Sequence, residues 1–159
     1  MAKVPVLNHV GLTVRDIDAS LAFWRDQLGF RELGRGVVQW EHLDRIIGLA
    51  GTHIEWVELE MPGVAFLELF AYRHPPNLPL PAGGMNRPGS IHICLEVQEI
   101  DDLVARLLAA GYQTRSKEVV TIPCGAYLGY KCVYLLDPDG VTVELSERPR
   151  LGTAAQPQN

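Results

Sequence analysis

Apolar and polar positions alternate at the start of the chain: Val10, Leu12 and Val14 against His9, Gly11 and Thr13. A period of two predicts a strand with one greasy face. The spacing then widens. Ile17, Leu21, Trp24 and Leu28 recur at helical intervals, with Asp16 or Asp18 placed to cap the helix. Gly29 falls where the helix end needs a residue free to take positive φ. The same order returns later. Ile91, Ile93, Leu95 and Val97 alternate with His92, Cys94 and Glu96. Glu99 and Asp101 then open a second helix, with Ile100, Val104, Leu107 and Leu108 inward and Gly111 at its end.

Strand-like stretches complete each half. They fall at about 30–39, 53–60 and 64–72, and again at about 112–120, 127–136 and 141–146. Met61-Pro62-Gly63 and Asp137-Pro138-Asp139-Gly140 are turn signals between the last two strands of each half. Residues 41–49 read as a short helix inserted in the first half.

The two halves are a repeat. With His9 laid on His92, Val14 meets Val97, Asp16 meets Glu99, Ile17 meets Ile100 and Asp18 meets Asp101. The offset of 83 residues (92 − 9) is too long for a solenoid unit and fits a duplicated half-domain. The expectation is β-α-β-β-β twice, an α+β protein with two curved antiparallel sheets. It forms one domain over 5–147: a first module at about 5–72, a linker at 73–90 and a second module at about 91–147. The linker holds five prolines and three glycines, and residues 148–159 read as a flexible tail.

Composition narrows the function. Hydrophobic residues make up 47% of the 159, so the chain can bury a core of its own. Fourteen Lys and Arg against nineteen Asp and Glu supply no strong positive field, which argues against nucleic acid as a partner. No apolar run is long enough to span a membrane, and the first residues lack a signal peptide's apolar core. Three cysteines make no disulfide framework. A cytoplasmic protein acting on a small molecule is expected.

Four ionisable residues stand in matched places. His9 and His92 lie in the first strand of each half, and Glu68 and Glu144 in the last. Each sits on the face opposite the apolar one. Around Glu68, Phe66 and Phe70 oppose Leu67, Leu69 and Ala71; around Glu144, Thr142 and Ser146 oppose Val141, Val143 and Leu145. Any one of them alone reads as a solvated residue on a half-wet sheet. Four at equivalent points of a repeat read as a site. Two imidazoles and two carboxylates suit a divalent ion with room left for water or substrate.

The chain resembles the vicinal oxygen chelate superfamily, which includes glyoxalase I, methylmalonyl-CoA epimerase, extradiol dioxygenases and the bleomycin- and fosfomycin-resistance proteins. The resemblance covers roughly residues 5–147. It rests on NHVGLTVxD at 8–16, FWxxxLGF at 23–30, FLELF at 66–70, IHICLEV at 91–97 and YLLDPDGVTVEL at 134–145. It implies paired βαβββ modules around one divalent ion (Zn, Ni, Co, Mn or Fe) held by His9, Glu68, His92 and Glu144. It also implies chelation of a substrate through neighbouring oxygens, and a homodimer.

By the same resemblance, Glu144 or Glu68 acts as a base on carbon next to a polarised carbonyl, in an isomerase, epimerase or lyase of glyoxalase type. A ring-cleaving dioxygenase would use His9, His92 and Glu144 around Fe(II). Tyr134-x-x-Asp137-Pro138-x-Gly140-x-x-x-Glu144 fits the end of that signature. The signature also wants a histidine six to eight residues before Val133, where Gly125, Ala126 and Tyr127 stand. The missing histidine and the presence of Glu68 count against it. A metal-free small-molecule-binding protein is the other class, but such members typically lose ligands.

Tyr72, Arg73, Tyr127 and Tyr130 are candidates for substrate contact, with His74 beside Arg73 a candidate for an acidic substrate tail. Glu41 and His42 are candidates for a further acid or base, although a solvated helix start explains them as well. Glu96 reads either as a partner of a ligand imidazole or as an exposed residue. Cys94 reads as a small buried apolar group. Gly83-Gly84 precedes no helix and is no phosphate loop.

Overall fold

The computed structural model describes Pro5 and residues 7–62, 65–78, 85–116 and 118–150. The chain divides into two compact units, Met1–Ala82 and Gly83–Asn159, with the division inside the expected linker. Gly63 of the first turn signal, the Gly83-Gly84 pair and tail residues 151–159 lie outside the described residues.

The first unit runs β1 (His9–Thr13), α1 (Ile17–Leu21), β2 (Arg31–Val38), α2 (Glu41–Ile47), β3 (His53–Met61) and β4 (Ala65–His74). Its four strands lie in the order β1-β4-β3-β2. The second runs β5 (His92–Glu96), α3 (Ile100–Ala109), β6 (Gln113–Thr114), β7 (Val120–Thr121), β8 (Lys131–Leu136) and β9 (Thr142–Glu147). Its sheet runs β5-β9-β8-β6, with β7 also paired to β8. The repeated α+β plan is therefore present, and the inserted helix is α2.

The sheets are mixed rather than antiparallel. β1 pairs with β4 in parallel, and β5 with β9 in parallel, while the remaining pairs are antiparallel. Each first strand reaches its sheet through a helical crossover, and alternation along a strand carries no information about its neighbour's direction. The expected strand over 112–120 is broken into β6 and β7, each only two residues long. Both fragments keep to β8: Arg115 N–H donates to Tyr134 C=O at 2.7 Å and Ile122 N–H to Tyr130 C=O at 2.8 Å.

The core of the first unit lies between α1 and one face of its sheet. Phe23, Trp24, Val57, Leu59, Leu67 and Leu69 have no exposed surface. Burying a side chain of this kind stabilises by roughly 1.5–3 kcal/mol. α1 continues as a wider π-type turn over Ala22–Gln27, with Leu28 N–H bonded to Phe23 C=O five residues back at 3.1 Å. The extra residue per turn lets neighbours Phe23 and Trp24 both point inward. Gly29 closes the helix at φ +80°, and Phe30 N–H returns to Trp24 C=O.

The two helices are capped differently. Asp16 caps α1 through its own carboxylate, which accepts from Ala19 N–H at 3.0 Å. α3 has no such local cap. Its first N–H groups, on Glu99 and Ile100, donate to the Glu147 carboxylate at 3.1 and 3.0 Å. Ile100, Val104 and Leu107 face the second unit's core, but Leu108, expected inward, is 47% exposed. The apolar stripe of a ten-residue helix is narrower than the run of apolar residues in the sequence. The Asp137–Gly140 turn forms as expected: Asp137 Oδ1 accepts from Asp139 and Val141 N–H, and Gly140 takes φ +84°.

Candidate metal centre

Each unit brings one imidazole and one carboxylate together. His9 Nε2 lies 3.4 Å from Glu68 Oε2, and His92 Nε2 lies 3.1 Å from Glu144 Oε2. The parallel register explains why. Gly11 is the partner of Glu68 and Cys94 the partner of Glu144, so each histidine stands two residues before its glutamate's partner. Both pairs are the same diagonal across a parallel strand pair. Their exposures match as well: 41% and 17% for His9 and Glu68, 39% and 19% for His92 and Glu144. The carboxylates are sunk while the rings keep an open edge.

The separations fit two donors of one ion. Ligands about 2.1 Å from a metal stand about 3.0–3.4 Å apart across an octahedral or tetrahedral angle. The tautomer fits too. Asn8 Oδ1 accepts from His9 Nδ1 at 2.8 Å, so the neutral ring presents its Nε2 lone pair to the Glu68 carboxylate. Two acceptors facing each other at 3.4 Å need a cation between them, a proton or a metal. Among the described residues, no three His, Cys, Asp or Glu side chains are gathered closely enough to hold an ion as they stand. The ligand-type residues come as two pairs.

The electrostatics around the pairs are uneven. Burial raises the Glu68 carboxyl above the usual range; His9 opposes the shift, and Glu58, its cross-strand partner, adds to it. Burial and the nearby Glu144 push the Cys94 thiol up to about 11. Cys94 is exposed, against the expectation of a buried group, and stands directly across from Glu144 on the neighbouring strand.

The other sequence candidates are spread out. Tyr72 lies on β4 at an even position with Glu68, half-buried. Arg73 is ion-paired to Glu55 and lines a cavity of about 240 Å³ with Asp16 and Ile17 at the start of α1. Tyr127 and Tyr130 meet edge to face at 5.4 Å in the turn before β8, with Tyr127 62% exposed. His74 ends β4 opposite His53. His42 stacks on Trp40 at 5.1 Å, and Glu41 is exposed. Glu96 is held by Arg148 at 2.7 Å, which makes it a surface ion-pair member.

Three partners of the pairs were not legible in the chain pattern. Asn8 orients His9; Phe66 stacks on His9 at 5.1 Å; Tyr134 stacks on His92 at 5.4 Å. The Asn-His dipeptide was the one signal available for the first.

The chain matches the Glyoxalase/Bleomycin resistance protein/Dioxygenase superfamily over residues 6–145. It belongs to that superfamily. Human mitochondrial methylmalonyl-CoA epimerase is 31% identical over 147 residues, covering 89% of this chain and 73% of the relative. Among solved structures, a glyoxalase family protein from Bacillus cereus shares the fold at TM-score 0.78 and 24% identity, covering 92% of this chain and 95% of that one. The trypanothione-dependent glyoxalase I of Leishmania major shares it at TM-score 0.61 and 20% identity, covering 91% and 87%. The superfamily's fold thus accounts for the repeat and for the mixed sheets. No helix among the described residues is long and apolar enough to cross a membrane.

Proposed function

We propose that the chain is a divalent-metal-dependent enzyme of glyoxalase type that moves a proton at a carbon next to a carbonyl, as an isomerase, epimerase or lyase. The observation that carries this reading is the duplicated His–Glu diagonal at ligand separation. His9, Glu68, His92 and Glu144 are the four residues that would hold the ion. When bound, the ion supplies Lewis-acid polarisation of the carbonyl and of the enolate charge that follows. A carboxylate within hydrogen-bond reach of the carbon accepts the proton. Glu144 fills that role, with Glu68 as its counterpart in the other half of the repeat. The aromatic faces of Phe66 and Tyr134 hold the imidazoles in place, and Asn8 holds the His9 tautomer. The human relative, an epimerase by name, supports proton transfer over ring cleavage.

The test is exchange with solvent. The metal-loaded protein incubated with methylmalonyl-CoA in D₂O is expected to place deuterium on the carbon between the carboxylate and the thioester. Glu144→Gln is expected to retain metal, because an amide oxygen still coordinates, and to lose at least about 100-fold in rate, because an amide accepts no proton. Oxygen uptake with a catechol, and no exchange, would replace this reading with Fe(II) ring cleavage.

A further inference from the structure

The open face of the first unit's sheet carries more than the His9–Glu68 pair. Trp56, Glu58 and Glu60 of β3 are the register partners of Phe70, Glu68 and Phe66 of β4. The intervening residues Val57, Leu59, Leu67 and Leu69 are fully buried on the opposite side, so Trp56 shares a face with Glu68. Its own partner across β2 is Gly36. A Cβ at Gly36 would stand 3.0 Å from the indole, and one at Gly34 3.7 Å. The indole therefore lies flat over bare backbone. On the other side, a Cβ at Gly11 would stand 3.2 Å from the Phe70 ring. Trp56, Phe66 and Phe70 are all half-buried.

The aromatic ring covers backbone that the glycines of edge strand β2 leave bare, and it does so on the face that carries Glu68. Two glycines under a tryptophan lower the surface into a flat aromatic floor. Strands are about 4.8 Å apart, so this floor lies about 10 Å from Glu68, two strands over. Glu58 stands between them, opposite Glu68, and repels an anionic group.

We propose that Trp56, seated on Gly34 and Gly36, is a specificity-determining residue that receives an uncharged, planar part of the substrate, whose paired oxygens meet the ion at His9 and Glu68. This deepens the reading above and rests on it. A planar group gains most on the exposed face of an indole.

Two chelators separate the planar part from the chelation: acetohydroxamate, with neighbouring oxygens alone, and benzohydroxamate, which adds a ring. Binding to the Co(II)-loaded protein is measured by calorimetry. The wild type is expected to hold benzohydroxamate roughly 3- to 10-fold more tightly than acetohydroxamate. Trp56→Ala is expected to lose that ratio and leave acetohydroxamate unchanged. Gly36→Val, which keeps the tryptophan but displaces its ring, is expected to do the same and guards against a folding defect in the first variant. A ring advantage that is absent in the wild type, or that survives in both variants, overturns the floor while the metal reading stands. If neither chelator binds, the metal reading falls and takes the inference with it.

Discussion

The Asn8 side-chain oxygen accepts a hydrogen bond from His9 Nδ1 at 2.8 Å, and this bond sets which nitrogen of the ring faces Glu68. A ligand imidazole held this way is a better donor and needs no reorientation when it meets a metal. Asn8→Leu removes the acceptor at an exposed position. Metal affinity is expected to fall about 10- to 100-fold, with thermal stability unchanged. Competition against a colorimetric chelator measures the first quantity and circular dichroism the second.

The two diagonals make opposite halves of a repeat testable one at a time. His9→Ala and His92→Ala are each expected to reduce bound metal sharply in protein purified and analysed by elemental mass spectrometry. Both rings are about two-fifths exposed, at 41% and 39%, so neither change opens a core cavity and both variants are expected to fold. Full occupancy in either variant would contradict a role for both histidines.

Glu147 of β9 caps α3 from a distance of nearly 50 residues in sequence, through bonds to the N–H groups of Glu99 and Ile100. Glu147→Ala leaves those donors without their carboxylate at a helix start. A loss of about 1–2 kcal/mol is expected from urea unfolding. Glu99, held at φ +53°, supplies no side-chain cap to make up for it.

Acid should loosen the segment after α2. Hydrogen bonds from the backbone and side chain of Thr52, then from the backbone of Gly51, hold the Asp44 carboxyl below its ordinary range. A depressed carboxylate contributes stability above its unfolded pKa of about 3.9 and loses it as pH falls through the folded value. Asp44→Asn is expected to lower stability at neutral pH and to flatten its fall below about pH 4. An unchanged acid profile would show that the two N–H groups at Gly51 and Thr52 do not depend on the charge.

The sequence by itself determined the repeat, the strand and helix phases and the identity of the two His–Glu sets. Each depends on local periodicity, on turn chemistry such as that of Asp137–Gly140, or on the equivalence of two halves. Tertiary structure decided what depends on strand neighbours. The parallel pairing of β1 with β4 and of β5 with β9 places each histidine diagonally beside its glutamate, and no period in the chain encodes that partner. Arg73 turned to Glu55 and Glu96 to Arg148 for the same reason: a charge pairs with whatever the adjoining element presents. Leu108 stayed in water because a short helix has one buried stripe. The cap of α3 came from β9, since an orphan N–H accepts any carboxylate that packing brings within reach, however far along the chain it lies.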